Sequence, residues 1–193
     1  MSDAGTALLI VDMISDWQFE DADQLVGPAL NIAPVIMRLK ARCRRAGVPV
    51  LYVNDHHGDW RTDFAGVIAR SLARGGPGSE ITAQLRPDAD DYFVLKPMHS
   101  AFYATPLEIL LRQLHVRRVI IVGVTADQCV FLTAAGARMR NFEVWVPADA
   151  VASQSSHRTA LALEQIENSL QIDTSRCDAA DLPISAIAGP PSN

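Results

Sequence analysis

Three residues of chemically useful type, Asp12, Lys96 and Cys129, each stand at or just beyond an apolar run of strand length. Asp12 follows ALLIV, Lys96 closes DYFVLK, and Cys129 comes a short turn after VIIVGV. A thiol placed near a helix N-terminus faces unpaired backbone N–H groups and the positive end of the helix dipole, which favour thiolate. The same N–H groups could hold an oxyanion formed when sulfur attacks a carbonyl. A carboxylate could take the thiol proton, and a lysine could balance the charge and lower the thiol pKa. Taken singly, the same residues also fit blander roles. Free cysteine is commonly a buried apolar residue, and an Asp and a Lys at strand ends can form a purely structural ion pair.

These groups need a frame that brings strand ends together. Runs at Ala7 to Met13, Val48 to Val53, Tyr92 to Lys96, Val119 to Val124 and Phe142 to Pro147 are continuous and rich in branched apolar residues. Such runs suit strands buried on both faces, as in a parallel sheet. Helical patterns separate them: Pro28 to Ala46 ending at Gly47, a helix opening at Thr105-Pro106 and running to about His115, Ala126 to Arg140, and Ser156 to Leu170. This alternation predicts an α/β three-layer sandwich, a mainly parallel sheet of about five to six strands with helices on both faces. Ligands in such sheets bind outside the carboxyl ends of the strands, which is where Asp12, Asn54 to His57, Lys96, Cys129 and Asp149 would gather. The connection from Asn54 to Pro87 is long and contains GGPG; it reads as loop with a short helix around Phe64 to Ala73.

The chain has 193 residues, a length that fits a single domain over 1–193. Its tail, 173–193, reads as loosely packed or as an arm exchanged with another subunit. Hydrophobic residues make up 49% and charged residues 20%, with net charge −5, and no basic stripe suggests nucleic acid. The cluster RLKARCRRAG sits at helical spacing ahead of a Gly and reads as a solvated helix end. Three scattered cysteines, with no CxxC pair, fit neither a disulfide framework nor structural zinc; they suit a reducing cytoplasm. The opening MSDAGTALLIVDM carries neither a basic leader nor an uninterrupted membrane span.

Three segments, ALLIVDMISDW, VLKPMHSAF and GVTADQCVFLTA, taken together resemble the isochorismatase-like cysteine hydrolases, a family that includes nicotinamidases and N-carbamoylsarcosine amidohydrolases. The resemblance runs from Ala7 to about Ser153. It implies that Asp12, Lys96 and Cys129 form a catalytic triad and that the N–H groups of Thr125 and Cys129 form the oxyanion hole. It also implies a non-proline cis peptide just ahead of the first donor, between Val124 and Thr125. Trp17 falls where the family has an aromatic residue against the substrate; Trp60 and His99 are further candidates for substrate contact. Nicotinamidases have an Asp-x-His that binds metal with a further His before the lysine strand. Asp55 and His57 match the first part, but no His lies between His57 and His99, so no metal and no cofactor are expected.

The expected activity is hydrolysis of a small amide, ureido or related C–N bond through a thioester on Cys129. The alternatives are an isochorismate-type vinyl-ether hydrolysis, or a binding or redox-sensing protein that keeps the fold. A small-molecule substrate is the expected partner. The apolar stretch Leu182 to Ala188 and the habits of the resembled family point to a homo-oligomer.

Overall fold

The computed structural model describes residues 5–178, and in it every strand pairing is parallel. The elements run β1 (Gly5–Val11), α1 (Ala22–Arg45), β2 (Val50–Asp55), α2 (Phe64–Arg74), α3 (Gly76–Gln84), β3 (Tyr92–Lys96), α4 (Leu107–Gln113) and β4 (Val116–Val124). A single π-helical turn at Ala126–Val130 leads into α5 (Phe131–Arg138), followed by β5 (Glu143–Trp145), β6 (Val151–Ala152) and α6 (Ser156–Asn168). The sheet order is β3-β2-β1-β4-β5, with β6 also paired to β4. The three-layer α/β architecture expected from the sequence is therefore the one observed.

Period-two alternation builds the layers. Leu8, Ile10, Tyr52, Ile120 and Val122 face one core, with Leu25, Ile36 and Leu39 of α1, Phe64 of α2 and Ile81 of α3. Ala7, Leu9, Val53, Val119 and Ile121 face the other, with Leu111 of α4, Ala134 of α5 and Ile166 of α6. Each fully buried branched side chain contributes about 1.5–3 kcal/mol, so the central strands are anchored from both sides.

Some boundaries depart from the sequence reading. Helix α1 starts at Ala22 rather than Pro28, and carries Pro28 and Pro34 inside it. It does end as expected: Gly47 has φ 69° and Val48 N–H returns to the Cys43 carbonyl at 2.9 Å, a glycine-dependent C-cap. The GGPG stretch opens a helix instead of a loop, with Pro77 in the first turn of α3, where a missing N–H is harmless. Residues 173–177 are tied to the body: Val146 and Ala148 donate to the carbonyls of Asp173 and Thr174, and Cys177 N–H donates to Asp149 Oδ1. The rest of the tail, including Leu182 to Ala188, lies outside the described residues. No helix among the described residues is long and apolar enough to cross a membrane.

The strand leading to the thiol depends on Gly123. Its φ is 112°, and a β-carbon there would stand 2.1 Å from the Val11 carbonyl oxygen of β1. Neighbouring backbone in a sheet centre cannot yield that distance. The Gly123→Ala protein should lose about 3 kcal/mol or more from strain and overpacking together. Urea denaturation measures this; an unchanged midpoint would contradict the packing described.

Candidate active site

The chain order reverses direction in the sheet between β1 and β4, because β1 leads outward to β2 and β3 while β4 leads to β5. A crevice opens at such a reversal, beyond the carboxyl ends of the two strands. Asp12 leaves β1 there with φ 53°, a left-handed conformation that Asp tolerates better than most residues. Thr125 and Cys129 leave β4 on the other side, and Lys96 arrives from β3.

The structure brings the three expected groups together. Lys96 Nζ lies 2.9 Å from Asp12 Oδ2 and 3.5 Å from Cys129 Sγ, and the lysine is fully buried. The other Asp12 oxygen, Oδ1, accepts from the Asp55 N–H at 2.7 Å, which fixes the carboxylate plane. Lys96 thus stands between the Asp12 carboxylate and the thiol, in reach of both. His99 Nδ1 stands 3.7 Å from Sγ. The Val124–Thr125 peptide is cis, as the resemblance implied. The carbonyl of Thr125 accepts from the N–H groups of Gln128 (3.2 Å) and Val130 (3.0 Å), which shapes the turn around Cys129.

Electrostatics correct one expectation. Burial and the adjacent Asp12 charge push the Cys129 thiol up, and Lys96 only partly opposes them. The resting sulfur is thus a protonated thiol rather than the thiolate read from its helix-start position. A desolvated carboxylate at contact outweighs a helix dipole shared by one short turn. Burial opposes the Lys96 ammonium, but the charges of Asp12 and Cys129 raise its pKa, so it is firmly cationic. For Asp55, burial acts upward, yet the Lys96 charge and the His57 backbone N–H together bring its carboxyl below the usual range.

A cavity of 330 Å³ opens over this group, walled by Asp12, Asn54, His99, Thr125 and Cys129, with Ile14, Phe19 and Leu25 supplying apolar surface. Two expected substrate contacts lie elsewhere. Trp17 is buried with its ring on Gly78 of α3, where a β-carbon would come within 2.2 Å of its Cδ1, and Phe19 lines the cavity instead. Trp60 is 77% exposed and leans on His56, ring centroids 4.4 Å apart. His99 does line the cavity. The wall also contains Gln128, Gln154 and Arg158, which the sequence reading did not single out. Gln154 sits just beyond β6, a strand of two residues that leaves too little pattern to read.

Asp55 and His57, the two residues that match a metal-binding pattern, are engaged with other groups. Asp55 Oδ1 accepts from the His57 N–H at 2.7 Å while Oδ2 faces Lys96 at 3.4 Å, and the His57 ring stacks on Phe19. Among the described residues no group of three or more His, Cys, Asp or Glu side chains converges as a ligand set. The ammonium 3.4 Å from Oδ2 would repel a second cation placed at that carboxylate. Exhaustive dialysis against a chelator should therefore leave turnover within about twofold, a change too small for loss of a metal ligand; loss of activity restored by added zinc, iron or manganese would refute this.

Residues 6–176 match the isochorismatase domain model. An uncharacterized isochorismatase family protein, YaaI of Bacillus subtilis, is 39% identical over 170 residues, covering 88% of this chain and 93% of that protein. The N-carbamoylsarcosine amidase from Thermoplasma acidophilum is 31% identical, with TM-score 0.64 over 92% of this chain and 99% of that one. An isochorismatase family protein from Desulfovibrio vulgaris superposes with TM-score 0.73 at 27% identity, covering 90% and 94% of the two chains. With the fold, the strand-end placement and these matches in agreement, the chain belongs to the isochorismatase family of hydrolases.

Proposed function

We propose that the chain hydrolyses a small amide, ureido or related C–N bond by covalent catalysis at Cys129. The observation that carries this reading is a buried thiol 3.5 Å from Lys96 Nζ, which also lies 2.9 Å from Asp12, with Cys129 and Asp12 both in the wall of a substrate-sized cavity. The 31% likeness to an N-carbamoylsarcosine amidase supports the bond type.

Asp12 takes the thiol proton as Sγ bonds to the substrate carbonyl carbon, and Lys96 offsets the negative charge passing through sulfur. Thr125 and Cys129 both line the cavity, and their backbone N–H groups are assigned here to receive the oxyanion. Asp12 then delivers its proton to the leaving nitrogen, the C–N bond breaks, and the acyl group remains as a thioester. Water, deprotonated by Asp12, attacks that thioester; the C–S bond breaks and the proton returns to sulfur. A resting thiol with a raised pKa suits this concerted transfer. It suits a redox sensor poorly, because sensor cysteines are exposed and low in pKa. A vinyl-ether hydrolysis would leave the contact between Cys129, Asp12 and Lys96 without a covalent step to perform. The free state of Cys43, Cys129 and Cys177 fits a reducing compartment such as the cytoplasm.

A panel of primary amides, carbamoyl and ureido compounds, assayed for ammonia release, tests the proposal. Turnover of at least one class, lost in the Cys129→Ala protein, is expected; full turnover without the sulfur would overturn the thioester route.

A further inference from the structure

The imidazole of His99 has no part in the steps assigned to Asp12 and Lys96, yet it touches the reacting atom. Its Nδ1 stands 3.7 Å from Cys129 Sγ, within hydrogen-bonding range for sulfur. Among the described residues the sulfur is the ring's one hydrogen-bond partner. His99 is exposed and lines the cavity, whereas Lys96 meets the sulfur from a fully buried position. The ring thus flanks the sulfur on the side open to solvent.

The fold fixes this placement. The loop after β3 is tied to α5, the helix that continues from the Cys129 turn. Ala101 N–H donates to the buried Thr133 Oγ1 at 3.0 Å, and a β-carbon on Gly136 would stand 3.2 Å from both Ser100 Oγ and Phe102 Cδ2. Within the loop, the Ser100 carbonyl accepts from Tyr103 N–H at 3.1 Å. His99 immediately precedes this anchored segment, so ring and sulfur are positioned by the same helix.

Asp12 must act as base with both oxygens already accepting, Oδ1 from the Asp55 N–H and Oδ2 from Lys96. It is poorly placed to hold a water as well as deprotonate it. Lys96 is cationic and can only donate to the sulfur. The resting thiol is protonated, and when its proton turns to His99 the ring accepts at Nδ1 and carries its own N–H on Nε2. Acylation of the sulfur removes that proton. Nδ1 is then an acceptor without a donor, beside the thioester and open to the cavity, and water is the donor at hand.

We propose that His99 holds the water that deacylates Cys129. The water donates one O–H to Nδ1 and is kept beside the acyl carbon. Its other proton passes to Asp12 as its oxygen bonds to that carbon. The C–S bond then breaks, the electron pair goes to sulfur, and Asp12 returns the proton there. His99 itself neither gains nor loses a proton. The inference rests on the reading of Cys129 as the covalent nucleophile and adds what serves the second half of its cycle.

p-Nitrophenyl acetate tests this whatever the natural substrate, because nitrophenolate leaves without being protonated. With enzyme in excess, nitrophenolate release times acylation, and acid-quenched mass spectrometry of acetyl-Cys129 times deacylation. The His99→Leu protein should acylate at the unsubstituted rate, while its acetyl-Cys129 decays about tenfold more slowly, the size of one neutral hydrogen bond lost from the transition state. His99→Asn, whose amide oxygen reaches the place of Nδ1, should recover most of the decay rate. Unchanged decay in the leucine protein, acylation and decay slowed alike, or an asparagine protein no faster than the leucine one would each overturn the inference. Nitrophenolate release as slow in the unsubstituted protein as in the Cys129→Ala protein would instead remove the nucleophile itself, and this inference with it.

Discussion

The Asp12→Asn protein should lose amide hydrolysis while its Cys129 titrates at lower pH. The two effects run in opposite directions because Asp12 has two influences on the sulfur. As a charge in contact with a buried thiol, it raises the thiol pKa. As the nearest base, it is the proposed acceptor of the thiol proton and the donor to the leaving nitrogen. Asparagine keeps an oxygen for the Asp55 N–H, now 2.7 Å from Asp12 Oδ1, and turns its amide N–H groups toward Lys96 Nζ, which must draw back from the 2.9 Å it keeps to Oδ2. Lys96, 3.5 Å from Sγ, is then the dominant charge on the thiol and lowers its pKa relative to the unsubstituted protein. Turnover should fall by about 10²–10⁴-fold, the usual contribution of a positioned acid–base group. Adding Cys129→Ala should make matters little worse, since members of one catalytic unit are not additive. Alkylation of Cys129 by iodoacetamide, followed by mass spectrometry across pH, reads the other half. A midpoint that stays in place or moves upward in the Asp12→Asn protein would show that Asp12 is not the group that holds the thiol protonated.

How much of this was legible in the residues follows from which signals are local. The strands β1 to β4 are continuous apolar runs, so their carboxyl ends, and with them Asp12, Asn54, Lys96 and the turn to Cys129, could be placed by inspection. Parallel pairing then puts all those ends on one edge. The aromatic wall was not local. Trp17 and Phe19 are two residues apart in a loop, and a left-handed φ of 56° at Trp17 turns its ring to α3 and leaves Phe19 to the cavity. No side-chain pattern announces such a turn. Helix α3 was hidden because Gly75, Gly76 and Pro77 are the ordinary marks of a loop. Here they form the start of a helix packed on α1 and α2, with Ile81 in the core. The thiol's protonation state was misread for a related reason: proximity to a helix start is visible in sequence, whereas contact with a desolvated carboxylate arises only from the fold.

Replacing Lys96 by methionine should cost both stability and activity, and the stability loss should shrink in acid. The side chain is completely buried between Asp12 and Asp55, at 2.9 and 3.4 Å. Methionine fills similar volume but leaves two carboxylates close together with no cation between them. Breaking a buried pair costs about 3–5 kcal/mol, and the partial exposure of both aspartates to the cavity places this case near the lower figure, about 3 kcal/mol at neutral pH. The pH dependence follows from Asp55. With Lys96 present its folded carboxyl titrates below its ordinary value, so it contributes stability above the unfolded pKa that is lost as pH falls through the folded one. Without Lys96, burial dominates and the folded pKa rises above the unfolded one. Ionisation then destabilises the folded state as pH climbs, and protonation relieves it. The gap between the two proteins in urea denaturation should therefore be widest near pH 7 and narrow as pH falls toward 4. A gap of constant size over that range would mean that the lost lysine acted through packing alone. Its role as the charge that holds Asp12, Asp55 and the sulfur together would then have to be abandoned.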